Sequence, residues 1–304
     1  MSLYLVTGGA GYIGSQVAKR IRDEGHDVRV IDNLENGVRE RVTSDMEFFE
    51  ADIRDQAAMN SVMIGCAGVF HLAALPRVAY SIEHPFEVHE VNTMGTLAVL
   101  DAAKANGVKR VVLSSTSAIY GNAVHLPVTE ESLVAPLNPY GLSKFFGERC
   151  LAQYAELYGL ETVSLRYFNA YGPGMREGGS YPTAISAFTA ARRGKRPLIV
   201  HGTGEQSRDL VHVRDIARAN WLAMHAETVG KGEIINIGSG SSMTILTIAK
   251  RMQGAEGIIY EERRAGDAMH TLAGIQKAKE LLNWEPSISL EEGLNEVLRV
   301  EGLV

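Results

Sequence analysis

The sequence predicts an α/β chain, a doubly wound parallel sheet with a smaller C-terminal lobe. Three observations lead there. Short β-branched runs alternate with longer helical stretches through the first half of the chain. A glycine-rich turn joins the first such run to the first helix. The strand candidates are continuously apolar (Val111-Val112-Leu113 is one), as strands covered on both faces are. With 304 residues, 45% of them hydrophobic, the chain can bury one large core or two that share an interface.

In chain order, residues 3–7, 28–32, 47–51, 69–73, 110–115 and 162–166 read as strands, with helices over 13–24, 56–63, 86–106 and 139–158. Gly25, Gly107 and Gly159 end three of these helices where a left-handed cap is wanted. Strands that alternate with helices pair in parallel through right-handed crossovers. Beyond Tyr167 the rhythm loosens. Loops around Gly172-Pro173-Gly174 and Gly178-Gly179 precede a helix over 182–193 and a strand over 198–200, and residues 244–304 read as short helices and loops. A helix over 213–226 and a strand over 233–237 read as returning to the sheet. The expected division is a dinucleotide domain over 1–168, joined by 211–240, and a second lobe from 169–210 and 241–304.

Charge and composition exclude several classes. A net charge of −6 is opposite to that of a general nucleic-acid binder. Arg192, Arg193, Lys195 and Arg196 cluster where a helix ends, where cations complement its dipole. The nine histidines show no ligand spacing, so no metal is expected. No apolar run reaches the length of a membrane span, and the start lacks the pattern of a signal peptide. Cys66 and Cys150 form no framework, which fits a reducing cytoplasm.

The turn Thr7-Gly8-Gly9-Ala10-Gly11-Tyr12-Ile13-Gly14 carries the first chemistry. Gly8, Gly11 and Gly14 permit a tight bend, close approach of backbone to a pyrophosphate, and close packing of helix on strand. The helix start, at Tyr12 and Ile13, offers unpaired N–H groups to phosphate oxygens. Asp32 ends the second strand 18 residues past Gly14, where a carboxylate accepts from ribose hydroxyls. This is a Rossmann-type unit. The carboxylate would repel a 2′-phosphate, so NAD is favoured over NADP. Asp52-Ile53, after the third strand, would reach the adenine.

Tyr140-Gly141-Leu142-Ser143-Lys144 carries the second. Residues four apart share one helix face, so phenol and ammonium point the same way. A tyrosine base near neutral pH must lose roughly 3 units from about 10, or about 4 kcal/mol. A positive charge about 5 Å away supplies roughly 3 kcal/mol at an effective dielectric of about 20. Lys144 alone falls short, and an oxidised nicotinamide would close the gap. Ser114, Ser115, Thr116 and Ser117 end the fifth strand, at the sheet edge where such folds bind ligands; one of these hydroxyls should hold the reacting oxygen beside Tyr140.

Together with His71-Leu72-Ala73-Ala74, Asn92, Arg166-Tyr167-Phe168-Asn169, Arg208-Asp209 and Arg264-Ala265-Gly266-Asp267, these residues resemble extended short-chain dehydrogenases/reductases that act on nucleotide sugars, especially UDP-glucose and UDP-GlcNAc 4-epimerases. The resemblance implies Tyr140 as base, Thr116 as its hydroxyl relay and Lys144 as ribose anchor. It places Asn33, Asn36, Gly37, Leu72, Ala73, Ala74, Asn92, Ser114 and Tyr167 on the cofactor. It places Asn169, Val200, His201, Arg208 and Arg264 on the UDP, whose diphosphate suits fork-shaped donors. The implied reaction oxidises the sugar at C4, turns the 4-keto sugar and returns the hydride to its other face.

Dehydratases of the family carry Asp-Glu after the catalytic Thr, and decarboxylases a Glu at the second position; here stand Ser117-Ala118. UDP-glucuronate 4-epimerases and sugar reductases stay open, as does a non-catalytic NAD-sensing protein, although such a protein would be free to lose Tyr140 or Lys144. The resemblance also implies a homodimer through helices 86–106 and 139–158, with Val91, Met94, Leu97, Ala98, Phe145, Leu151 and Tyr154 as apolar candidates that alternatively pack on the sheet alone. Thr271, four after Asp267, falls where a family Tyr is associated with excluding an N-acetyl group. A threonine there is expected to admit acetylated and plain hexoses alike.

Overall fold

The computed structural model describes residues 1–175, 183–262 and 269–303. Its central sheet has seven parallel strands in the spatial order Lys231–Ile237, Glu161–Tyr167, Arg110–Thr116, Cys66–His71, Leu3–Thr7, Asp27–Asp32 and Glu47–Glu50. Every pairing between neighbours is parallel, as the alternation of strands and helices implies. The order reverses between Leu3–Thr7 and Cys66–His71, and at such a switch point the loops leave in opposite directions and open a crevice. Apolar clusters cover both faces: Val6, Val30, Phe70 and Val112 meet one layer of helices, and Leu5, Ile31, Val69 and Val111 meet the other.

Gly25, Gly107 and Gly159 all take positive φ at helix ends. The helix Pro139–Tyr158 starts where the sequence places it, with Asn138 accepting from the Gly141 N–H at 2.9 Å and Pro139 in the first turn. Tyr140 is thereby set at the start of a long helix, against the ends of the strands.

Two features of the main sheet and its helices depart from the sequence reading, and in the second lobe Ile258–Glu261 is a strand where only helices and loops were expected. The fourth strand runs Cys66–His71, so Leu72, Ala73 and Ala74 lie beyond its end and face the crevice rather than belonging to the strand. The helix expected over 86–106 is divided: Val78–Glu83 and Pro85–His89 precede a π-helical turn, Glu90–Met94, before Gly95–Ala105 continues.

The remaining segments make a smaller layer. Asn169–Tyr171 pairs in parallel with Ser207–His212, which pairs antiparallel with Ser242–Thr244. Leu198–His201 pairs in parallel with Ile258–Glu261. This layer has its own core of Tyr171, Phe188, Leu198, Val200, Ile248 and Leu294, so its strands pack against helices rather than on the main sheet.

Candidate active site

A cleft of about 1370 Å³ runs along the carboxyl ends of the central strands and under the smaller layer. At one end lies the glycine turn. Gly8 holds φ +70°, and a Cβ there would stand 2.7 Å from the Ala73 nitrogen; one on Gly14 would collide with the Gly8 carbonyl oxygen. Only bare backbone makes this bend, and it leaves room for a pyrophosphate. Gly8, Gly11, Tyr12 and Ile13 line the cleft. So do Asp32, Asn33, Asn36, Gly37, Asp52 and Ile53. The Asp32 carboxylate accepts from the Ala10 N–H at 3.0 Å and the Leu34 N–H at 2.9 Å, and burial pushes it above the usual carboxylate range despite those bonds. Asp52 is pulled the other way, below that range, by the two-pronged bond from Arg54. A glycine cradle followed by a cleft-lining carboxylate at the end of the second strand fits a dinucleotide.

A buried hydrogen-bond chain holds the loop beside that turn. The Thr96 hydroxyl donates to the Asn92 carbonyl at 2.6 Å, so its oxygen accepts from the His71 Nε2–H at 2.9 Å. His71 Nδ1 is left to accept from the Thr7 hydroxyl at 2.8 Å. The Thr7 oxygen then accepts from the Leu72 and Ala73 N–H groups, at 3.2 Å each. Burial keeps His71 neutral, with its pKa pushed down to about 3.

Asn92 belongs to the same chain and corrects one expectation. Its side chain is 1% exposed and does not line the cleft. Its Oδ1 accepts from the Leu75 N–H at 2.8 Å, while Nδ2 donates to the Leu75 carbonyl and the Ser143 hydroxyl. Ser143 in turn donates to the Tyr140 carbonyl at 2.8 Å. All its polar capacity serves the protein: Asn92 ties the Leu72–Leu75 loop to the Tyr140 helix. The π-helical turn that carries it gives the reason, because it displaces the helix register locally.

Ser114, Thr116, Tyr140, Lys144 and Tyr167 line the middle of the cleft. Tyr140 has the Thr116 hydroxyl as hydrogen-bond partner, which lowers its pKa less than the surrounding protein raises it. Lys144 is buried, and its ammonium is pushed down to about 8. The simple charge argument from spacing is therefore corrected: desolvation acts on both groups against ionisation, and the chain's own groups leave the phenol above its ordinary value. The Tyr167 hydroxyl bridges Ser114 and Asn220, whose Oδ1 lies 2.9 Å away. Ser117 and Ala118 also line the cleft, so no carboxyl stands at those two positions.

At the far end, Asn169, His201, Arg208 and Thr271 line the cleft. Asn169 Nδ2 donates to the Asp209 carbonyl at 2.8 Å and to the Thr271 hydroxyl at 3.2 Å, and that hydroxyl also accepts from the Asp209 N–H at 3.0 Å. Val200 is fully buried in the core of the smaller layer. Its neighbours Ile199 and His201 face the cleft instead, because side chains alternate along a strand. The Val200 side chain is thus turned away from the cleft, against the expectation for a UDP contact there, and the period-2 pattern puts Ile199 on the cleft side with His201. Arg264 lies outside the described residues.

The comparisons with known proteins agree with this geometry. The family described as "NAD dependent epimerase/dehydratase family" matches residues 4–238. A putative UDP-glucose 4-epimerase of Methanocaldococcus jannaschii is 36% identical over 302 residues, covering 97% of each chain. The solved UDP-glucose 4-epimerase of Thermotoga maritima, with UDP-glucose, superposes with TM-score 0.93 at 37% identity over 98% of both chains. A UDP-N-acetylglucosamine 4-epimerase of Methanobrevibacter ruminantium, in complex with UDP-N-acetylmuramic acid, gives TM-score 0.93 at 32% identity, covering 98% of this chain and 97% of that one. With its glycine cradle, its tyrosine–lysine helix and a match over most of its length, this chain belongs to the NAD-dependent epimerase/dehydratase family.

Proposed function

We propose that this chain is an NAD-dependent UDP-hexose 4-epimerase that interconverts UDP-glucose and UDP-galactose and also accepts the N-acetylated pair. The observation that carries the reading is the cleft itself: Thr116, Tyr140 and Lys144 converge beside the glycine turn, with Ala118 where other family reactions need an acid. Tyr140 takes the proton from the sugar 4-hydroxyl and later returns it, through the Thr116 hydroxyl. NAD, when bound, accepts and gives back the hydride. Gly8, Gly11, Asp32, Lys144 and Tyr167 would hold it, and Lys144 would add charge near the Tyr140 phenol. Asn169, His201 and Arg208, with Arg264, are read as UDP contacts, and Thr271 as the residue that leaves space for an acetamido group. Both acceptor sites of the Thr271 hydroxyl are engaged, so only its proton is left for a ligand. We assign residues 1–168 and 211–240 to the NAD domain, and 169–210 and 241–304 to the UDP-sugar lobe.

We read the chain as a homodimer in the cytoplasm. The dimer reading is supported by exposed apolar side chains on the helices around Tyr140: Ile82, Phe86, Met94 and Phe146, with Phe86 at 76%. Of the residues the sequence suggested for this face, Met94 is exposed, while Val91, Ala98 and Leu151 pack inward. No helix among the described residues is long and apolar enough to cross a membrane, and Cys66 and Cys150 are free thiols.

Incubation with UDP-glucose, UDP-galactose, their N-acetylated counterparts and UDP-glucuronate, followed by separation of products, tests the activity. Interconversion is expected without added nicotinamide. Net reduction of the sugar with stoichiometric NADH or NADPH would overturn the reading. Light scattering at micromolar concentration should give twice the chain mass, and a monomer mass would refute the dimer.

A further inference from the structure

Beneath the cleft lies a buried charged group that the reading above does not use. Glu148 follows Lys144 by one helical turn, as Lys144 follows Tyr140, so all three share one face of Pro139–Tyr158. Its side chain is fully buried, as is that of its partner Arg166. Arg166 donates twice, Nε to Oε1 at 2.8 Å and Nη2 to Oε2 at 2.7 Å, and the Ser115 hydroxyl donates to Oε1 at 2.6 Å. Ser115 and Arg166 are register partners on adjacent strands, and the next pair along is Thr116 with Tyr167. One carboxylate therefore ties together three segments, each of which places a cleft residue next to its anchor.

Its second effect is electrostatic. The groups facing Lys144 are His71 on the fourth strand, which burial keeps neutral, and Glu148 on its own helix. Tyr140 on the same helix, and Tyr167 on the sixth strand with burial raising its phenol, are neutral at ordinary pH. Glu148 is thus the countercharge that opposes desolvation of the lysine, while Arg166 and Ser115 hold its carboxylate in place.

We propose that Glu148 is a positioning residue for the reaction: held by Arg166 and Ser115, its carboxylate anchors the helix face that carries Tyr140 and Lys144 against the ends of the fifth and sixth strands and places a negative charge one helical turn from Lys144. The proposal rests on the epimerase reading for its consequence in turnover but not for its charge effect, and the two are tested apart. Protein labelled with ¹³Cε-lysine is titrated by NMR, with the Lys144 resonance assigned by its loss in Lys144→Met. In Glu148→Gln the Lys144 titration should move down by about one pH unit or more, a differential interaction of about 1.4 kcal/mol per unit. In turnover, Glu148→Gln should lose about fivefold or more near pH 8, and the deficit should shrink toward pH 6, where Lys144 is charged in both proteins.

Removing one partner of a buried pair can unfold a protein, so Glu148→Gln with Arg166→Met, which removes both charges, is the second variant. It should fold and show a Lys144 titration lowered by less than in Glu148→Gln, because loss of the Arg166 cation partly offsets loss of the carboxylate. A Lys144 titration unchanged in a folded variant, or a rate deficit equal at every pH, would overturn the proposal. So would a double variant that does not fold, because the cluster would then serve only packing. An inactive wild type whose Lys144 titration still responds to Glu148 would count against the epimerase reading alone.

Discussion

At the glycine-turn end of the cleft, Thr7, His71, Asn92 and Thr96 are almost wholly buried, and each finds its hydrogen-bond partner on a different segment of chain. At the far end, Asn169, His201, Arg208 and Thr271 are half-exposed, on short strands and the loops beside them. The first end is costly to disturb, because a buried polar group without its partner costs about 1–3 kcal/mol. The second makes its bonds close to solvent, where the loss of one costs less. This difference suits a protein that keeps one ligand through many turnovers and exchanges another at each.

The largest effect of a single substitution is expected at the junction of the two ends. Tyr140→Phe removes the titrating oxygen and leaves the buried chain untouched, since Ser143 bonds to the Tyr140 backbone carbonyl. Turnover should fall by at least about 10²-fold with NAD binding and thermal midpoint near those of wild type. A variant within about tenfold of wild type would place the base elsewhere.

A smaller effect tests the buried end alone. His71 has a folded pKa of about 3 against an ordinary value of 6.5. Below pH 6.5 the unfolded chain binds a proton that the folded chain refuses, so stability falls as pH is lowered through that window and stops falling below about 3. By pH 5 the loss from this group is roughly 2 kcal/mol, at 1.36 kcal/mol per unit. Denaturant midpoints at pH 7.5 and 5 should show this slope, reduced in His71→Gln. The slope should not vanish, because burial lowers the pKa of His212 as well. Equal slopes in both proteins would remove His71 from the account of a rigid cofactor end.

The least effect is expected at Thr271. Thr271→Val keeps the shape and removes the acceptor that Asn169 and the Asp209 N–H share, worth about 1 kcal/mol, or about fivefold in KM. Thr271→Tyr should depress turnover of UDP-GalNAc much more than that of UDP-Gal. If the tyrosine variant lost both activities equally, or neither, residue 271 would not be the gate at the substrate end.

Much of this architecture is legible locally. The strand Leu3–Thr7, the helix over 139–158 and the positive-φ caps at Gly25, Gly107 and Gly159 follow from β-branched runs, a proline start and glycine stops, all set by neighbours in sequence. The glycine turn and the Tyr140–Lys144 spacing are legible for the same reason, since each lies within a single turn or a single helix.

What escaped the sequence depends on partners that are distant along the chain. Asn92 could be assigned to the cofactor by resemblance, but its bonds to Leu75 and Ser143 exist only because a π-helical turn brings three segments together. Val200 could be read as a contact until the second layer's core gave its strand an inside and an outside. Glu148 reads in sequence as one more polar residue on a helix; its burial against Arg166 and Ser115 comes from strand register and helix docking. Sequence by itself determined most elements of the main sheet and the contiguous motifs, because backbone propensity and i to i+4 geometry act over a few residues. Tertiary structure alone decided which polar groups are buried and what charge they can hold, because desolvation depends on everything packed around them.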